Sequence, residues 1–260
     1  MAKDSIRMQD LLDLPDPRVP VCLCLDTSGS MSFCDGGVDT GKRVVVEGRT
    51  CKVVTGGSKS RLQVLQQGIG EFYDAIYEDE NARYAAEISV VTFNDVAQVL
   101  SDFSRVEYNN VRENPPVLTA GGATALGTGV NLALDRLEQR KAEYIKRGVD
   151  YFQPWLIIMT DGDNNRAPED LAKAQERIQK LVKEKRLSVF PFILGNETGY
   201  DTLASLSPDQ EPMRIGVTQM KGLFTWLGKS IAQVSSQSLG VDTTVKLREQ
   251  DVISWDAPLD

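Results

Sequence analysis

Val19-Pro-Val-Cys-Leu-Cys-Leu-Asp26-Thr-Ser-Gly-Ser30 is the stretch on which the fold turns. Val19–Leu25 is apolar without alternation, the pattern of a strand buried on both faces of a parallel sheet. Asp26, Ser28 and Ser30 then follow at i, i+2 and i+4, one carboxylate and two hydroxyls. Oxygen donors in a loop after a buried strand suit a hard cation, since Mg²⁺ takes a near-octahedral oxygen shell at about 2.0–2.1 Å. One carboxylate does not neutralise a divalent ion. Further acidic groups must come from elsewhere in the chain or from a partner.

Outward from this stretch, strand and helix signals alternate. Leu62, Leu65, Ile69, Phe72 and Ile76 recur at helical spacing. Glu87–Phe93 reads as a strand, with Val96–Leu100 its hairpin partner across Asn94-Asp95. Leu126, Val130, Ala133, Leu134 and Leu137 mark a second helix, Trp155–Thr160 another buried strand, and Pro168–Lys185 a third helix. Leu187–Leu194 is a strand, Tyr200–Leu206 a short helix, Met213–Val217 a weaker strand and Met220–Ser235 a final amphipathic helix. This rhythm predicts a doubly wound α/β domain, its mainly parallel sheet covered by helices on both faces.

Residues 32–60 break the rhythm. Lys42–Glu47 and Thr50–Thr55 read as two short strands around Glu47-Gly48-Arg49, a β-hairpin inserted after the first strand. The organisation expected is a polar leader over 1–18, one domain over 19–237 carrying this insertion, and a polar tail over 238–260.

Composition removes several classes of function. Net charge is −8, from 29 basic and 37 acidic residues, and no basic cluster forms a nucleic-acid footprint. Lys183-Glu-Lys-Arg186 closes a helix, where cations suit the dipole. There is no histidine, so a His base, His-ligated zinc and a Ser-His-Asp triad are all excluded. Cys22 and Cys24 share one strand face and read as core residues; Cys34 and Cys51 flank the hairpin, which leaves a bridge or shared metal between them open. Met1-Ala-Lys-Asp-Ser-Ile-Arg7 is too polar for a signal peptide, and no apolar run approaches the ~18 residues of a membrane helix. A cytoplasmic, reducing setting is expected, with neither nucleic acid nor membrane as partner.

Two further loops carry oxygen donors. Thr119-Ala-Gly-Gly-Ala-Thr124-Ala-Leu-Gly127 sets Thr124 before a helix, with Gly121 and Gly122 allowing close backbone approach. Met159-Thr-Asp161-Gly-Asp163 sets Asp161 directly after a buried strand. Taken singly, Thr124 reads first as a helix cap, and Asp161-Gly162 reads as well as a turn as it does as a ligand loop. Asp35, Asp39, Asp163 and Asn164 lie near these loops and read as solvated loop residues.

In combination, the DxSxS, Gly-Gly-x-Thr and Thr-Asp-Gly loops resemble the metal-ion-dependent adhesion site of the von Willebrand factor A (VWA) family. Asp26, Ser28 and Ser30 match its first motif, Thr124 the second and Asp161 the third. Within that family the chain is similar to bacterial TerY-type proteins of tellurite-resistance and stress operons, through Val19–Met31, Ala120–Gly127 and Leu223–Ser235. The insertion at 32–60 departs from that pattern.

The resemblance implies a bound Mg²⁺, with Mn²⁺ and Ca²⁺ as alternatives. It implies no catalysis, but capture of an Asp or Glu from a protein partner, with an operon-encoded phosphatase or kinase among the candidates.

Two rival readings stand beside it. A Mg²⁺ phosphotransferase of the haloacid dehalogenase type also begins with an Asp after its first strand, but wants a second Asp two residues on, where this chain has Ser28. No GxSxG elbow or Walker loop is present either. The other rival is a metal-free scaffold whose loop polar groups only satisfy one another.

Overall fold

The apolar run forms a strand, β1 (Val19–Asp26), buried at every residue. The computed structural model describes residues 17–34, 38–46, 49–55, 59–106, 117–195, 199–216, 219–238 and 245. Residues 1–16 of the expected leader, Asp35, and the tail apart from Ser238 and Val245 lie outside these residues.

The remaining elements follow in the anticipated order. β2 (Val38–Val46) and β3 (Arg49–Thr55) precede α1 (Arg61–Glu78) and α2 (Glu80–Ala85). β4 (Ala86–Phe93), β5 (Ala97–Arg105) and α3 (Leu126–Arg147) come next. β6 (Trp155–Thr160), α4 (Pro168–Lys183) and β7 (Ser188–Leu194) follow. α5 (Tyr200–Ser205), β8 (Met213–Ile215) and α6 (Met220–Ser235) complete the set.

Six strands make one sheet in the order β5-β4-β1-β6-β7-β8. Only β4 and β5 pair antiparallel; β1 runs parallel to both β4 and β6. The chain leaves β1 toward β4 and later returns on its other side as β6. Strand order therefore reverses at β1, and the crevice beyond the carboxyl ends of β1 and β6 is where such a sheet takes ligands.

Side-chain alternation along β1 feeds two separate cores. Val19, Val21, Leu23 and Leu25 join Leu65, Ile69, Phe72 and Ile76 of α1 and Leu223, Leu227 and Ile231 of α6. Cys22 and Cys24 face the other way, with Val130, Leu134 and Leu137 of α3 and Ala174 and Ile178 of α4. Burying each Leu, Ile or Phe contributes roughly 1.5–3 kcal/mol. α1 is started by a capping box: Ser60 Oγ accepts from the Gln63 amide, and Gln63 Oε1 accepts from the Ser60 amide. α3 and α4 meet at Gly127, where a Cβ would stand 2.3 Å from the amide nitrogen of Leu171.

At the opposite end of the strands, Glu87 of β4 is fully buried. It accepts from Arg140 Nε at 2.6 Å and from the Tyr144 hydroxyl at 2.5 Å, with Arg18 Nε 3.7 Å away.

The insertion forms its own two-stranded antiparallel sheet, separate from the main one. β2 begins at Val38 rather than Lys42, because a register shift between Asp39 and Arg43 lets pairing resume with Thr55 and Val54. Gly41, at φ +77°, allows the turn in this bulge, and its amide bonds Asp39 Oδ1 at 2.8 Å. The stem is closed by a backbone bridge between Cys34 and Ser60. The side chain of Cys51 lies outside the description, and with it the question of a link to Cys34.

Candidate metal centre

Asp26 is the last residue of β1, and Asp161 follows the last residue of the adjacent β6. Parallel pairing puts Leu25 beside Met159, so the two strands deliver these carboxylates to the same end of the sheet. After Asp26 the chain enters a single 3₁₀ turn, Gly29–Ser32. The turn folds back, so that Ser28 and Ser30 stand over the strand ends.

A continuous chain of hydrogen bonds links four of the five predicted donors, Asp26, Ser28, Ser30 and Asp161. The Ser28 amide donates to Asp26 Oδ1 at 2.7 Å. The hydroxyls of Ser28 and Ser30 lie 3.2 Å apart. Ser30 Oγ donates to Asp161 Oδ1 at 2.7 Å. Asp26, Ser28 and Asp161 are fully buried, whereas Ser30 is half-buried and lies toward solvent.

The second loop joins through its backbone. The Gly29 amide bonds the Gly122 carbonyl at 3.0 Å, and the Gly121 amide bonds the Thr27 carbonyl at 3.0 Å. The Asn165 amide donates to the Thr124 carbonyl at 3.0 Å, while the Thr124 amide donates to Asn165 Oδ1 at 2.7 Å. Thr124 thus sits between the first and third loops, 3% exposed. It does not cap α3; the residue before that helix is Ala125, which makes no side-chain cap.

Gly122 has φ +78°, and a Cβ there would lie 2.2 Å from Asp95 Oδ2. That carboxylate accepts from the Ala123 amide at 3.1 Å, so the Gly-Gly pair is where the loop closes on its neighbour.

Several participants carry no signal in the sequence. Thr160 Oγ1 donates to Asp26 Oδ2 at 2.5 Å, so both oxygens of Asp26 are engaged. Arg61 Nη1 donates to Asp161 Oδ2 at 2.9 Å across a separation of 100 residues. Asn164 is a loop tie: its Oδ1 accepts from the Gly127 amide at 3.2 Å and its Nδ2 donates to the Arg166 carbonyl at 2.6 Å. Asp163 is exposed and accepts from the Thr202 hydroxyl at 2.5 Å; Asp39 is exposed and pairs with Arg43. Neither belongs to the donor cluster.

Burial pushes the Asp26 carboxyl up to about 7, and the Asp161 charge pushes in the same direction, against the lowering hydrogen bonds from Thr160 and Ser28. A cation between these carboxylates would reverse both effects. The donors are all oxygen, two of them carboxylates, the set preferred by hard divalent ions. Among the described residues no group of three or more His, Cys, Asp or Glu side chains is placed to hold a metal ion. The residues present fit an oxygen-ligated ion with incomplete charge compensation.

Among the described residues, no helix is long and apolar enough to cross a membrane. No curated protein matches the chain. Among solved structures it resembles a von Willebrand factor type A protein from Catenulispora acidiphila, with TM-score 0.56 and 16% identity, covering 84% of this chain and 43% of that one. The PilB minor pilin of Streptococcus sanguinis gives TM-score 0.56 and 14% identity, covering 86% of this chain and 64% of that one. Conserved hypothetical protein BatB from Bacteroides thetaiotaomicron gives TM-score 0.54 and 15% identity, covering 84% of this chain and 100% of that one. The chain thus spans less than two thirds of the first two relatives. At these identities the likeness is one of fold. The sequence profile described as von Willebrand factor type A domain matches residues 21–164, from within β1 through all three donor loops. On that match, which takes in more than half of its length, the chain belongs to the von Willebrand factor type A domain family.

Proposed function

We propose that this chain is a non-catalytic protein-interaction module, extending over residues 19–237, in which a divalent ion is held by Asp26, Ser28, Ser30, Thr124 and Asp161 and takes an Asp or Glu from a partner. The observation that carries the reading is the hydrogen-bonded chain Asp26–Ser28–Ser30–Asp161 at the carboxyl ends of two adjacent parallel strands. Mg²⁺ is the ion this donor set favours, ahead of Mn²⁺ and Ca²⁺. Bound there, the ion supplies a Lewis-acidic position open to an external carboxylate. The chain's own residues provide the rest. Thr160 and the Ser28 amide fix both oxygens of Asp26. Ser30, the half-buried donor, lies on the side from which a partner would approach. The net acidic chain gives no long-range attraction for an acidic group, so recognition is local.

The resemblance to TerY-type proteins in Val19–Met31, Ala120–Gly127 and Leu223–Ser235 supports a bacterial stress or tellurite-resistance assembly. In that setting an operon-encoded phosphatase or kinase is the partner and the location is cytoplasmic. The hairpin supports a role in partner choice, because it springs from the Cys34–Ser60 bridge between the Ser30 turn and α1. It presents Lys42, Arg43 and Lys52 to solvent, a basic surface suited to an acidic partner.

The test is a calorimetric titration of chelator-treated protein with Mg²⁺, Mn²⁺ and Ca²⁺, beside Asp26→Ala. Saturable binding that disappears in the variant, with its circular dichroism unchanged, is the expected result. Equal affinity in the two proteins would refute the site.

A further inference from the structure

Arg61 opens α1, and three elements hold its position. Its amide donates to the Phe33 carbonyl at 2.9 Å, the Ser60 capping box precedes it, and its guanidinium lies against Gly195. Gly195 has φ +75°, and a Cβ there would stand 2.8 Å from Nη2, so this residue is bare where the guanidinium passes. The Arg61 side chain is 5% exposed and its Nη1 reaches Asp161 Oδ2 at 2.9 Å. Asp161 thus divides its two oxygens, Oδ1 toward the serine cluster and Oδ2 toward a fixed internal cation.

We propose that Arg61 is a resident counter-charge that lowers the intrinsic metal affinity of the centre and makes firm metal binding depend on an external carboxylate. This rests on the metal-centre reading above. The donor set brings two negative charges, from Asp26 and Asp161. A guanidinium is charged at every accessible pH and cannot leave by deprotonation. With Arg61 in place, donors and Arg61 together carry −1, and adding a divalent ion gives a buried centre of +1. An anionic oxygen from outside brings that sum to zero. Replacing Arg61 by a neutral side chain brings it to zero with no partner at all. A buried uncompensated charge is costly, so the arginine makes the ion and the carboxylate bind cooperatively.

The experiment compares the native chain with Arg61→Gln, Arg61→Met and Arg61→Lys. Mg²⁺ is titrated calorimetrically with and without acetate as the carboxylate probe, and the Mg²⁺-induced rise in Tm is followed in parallel. Loss of the buried charge is expected to tighten the Mg²⁺ Kd by about tenfold or more in the Gln or Met variant. The same variants should show a larger Mg²⁺-induced rise in Tm and lose most of the enhancement by acetate. Arg61→Lys, which keeps the charge without the fork, is expected to bind within about threefold of the native chain. Met preserves side-chain bulk beside Gly195, so one neutral variant is available if the other fails to fold. Native-like or weaker Mg²⁺ affinity in a folded neutral variant overturns the role of Arg61 and leaves the metal centre standing. No saturable binding in any of the proteins, with or without acetate, overturns the metal centre and this proposal together.

Discussion

The hydroxyl of Thr160 donates to Oδ2 of Asp26 across the β1–β6 pair at 2.5 Å, so the third loop's strand holds the first loop's carboxylate. In the sequence Thr160 is only the neighbour of Asp161, yet it is the group that orients the central acid. In Thr160→Val the buried carboxylate loses a charge-assisted hydrogen bond, a destabilisation of about 1.5–3 kcal/mol. Because that bond lowers the Asp26 pKa, its loss raises it further. We expect weaker Mg²⁺ binding at pH 7, with a deficit that narrows by pH 9. Thermal melts and titrations at the two pH values check this; an unchanged Kd at pH 7 would show that Thr160 does not tune Asp26.

Metal binding and proton binding compete at Asp26. In the metal-free protein its carboxyl titrates near 7, against an ordinary value of 3.8. The folded state therefore holds a proton that the unfolded chain releases in this window. Asp26's favourable contribution is full below about 3.8 and is lost as pH rises through 7. Mg²⁺ needs the ionised form, so its apparent affinity should fall about tenfold per pH unit below 7 and level off above it. Titrations from pH 5.5 to 8.5 in two buffers of different ionisation enthalpy would count the released proton. A flat profile would exclude Asp26 as a ligand.

Gly127 is a packing test at the contact between α3 and α4. The added methyl of Gly127→Ala would meet the backbone of Leu171 and Asp170, which cannot turn aside as a side chain can. We expect α3 and α4 to separate, strained further by the bond from Asn131 Nδ2 to the Asp170 carbonyl at 2.7 Å. Overpacking of this kind costs about 1–3 kcal/mol. Denaturant unfolding measures it, and a native midpoint would mean the helices shift without penalty.

Removing residues 36–56 leaves the stem residues Cys34 and Ser60, whose backbone bridge closes the gap. Mg²⁺ affinity should be retained. Binding of a glutamate-rich peptide in the presence of Mg²⁺, followed by fluorescence anisotropy, should weaken about tenfold as the basic residues of the hairpin are lost. Equal peptide affinity would confine recognition to the loops.

The sequence signals that proved readable are local ones. β1 is a continuous apolar run, and its donors follow within four residues, so periodicity and chemistry coincide on a short stretch. The α3 and α6 patterns place the same residues inward that the two cores contain. What stayed hidden depends on distant partners. Arg61 is separated from Asp161 by a hundred residues and looks like any helix-opening arginine. The start of β2 was obscured by Asp39-Thr-Gly41, turn residues that form a bulge rather than an end. Asn164 reads as solvated, and Asn165 draws no attention, because a side-chain amide gives no hint of which backbone it will tie.

Glu87 sets a constraint on how this sequence can change. Its carboxylate engages the guanidinium of Arg140 and the Tyr144 hydroxyl, with the Arg18 guanidinium close by, all four residues fully buried. Loss of any single member would strand a charge or a polar atom without water, whereas an apolar replacement of the whole group could be neutral. Substitutions at positions 18, 87, 140 and 144 should be strongly epistatic, each tolerated only in the company of the others, so drift must pass through a valley of unstable intermediates at the foot of the sheet.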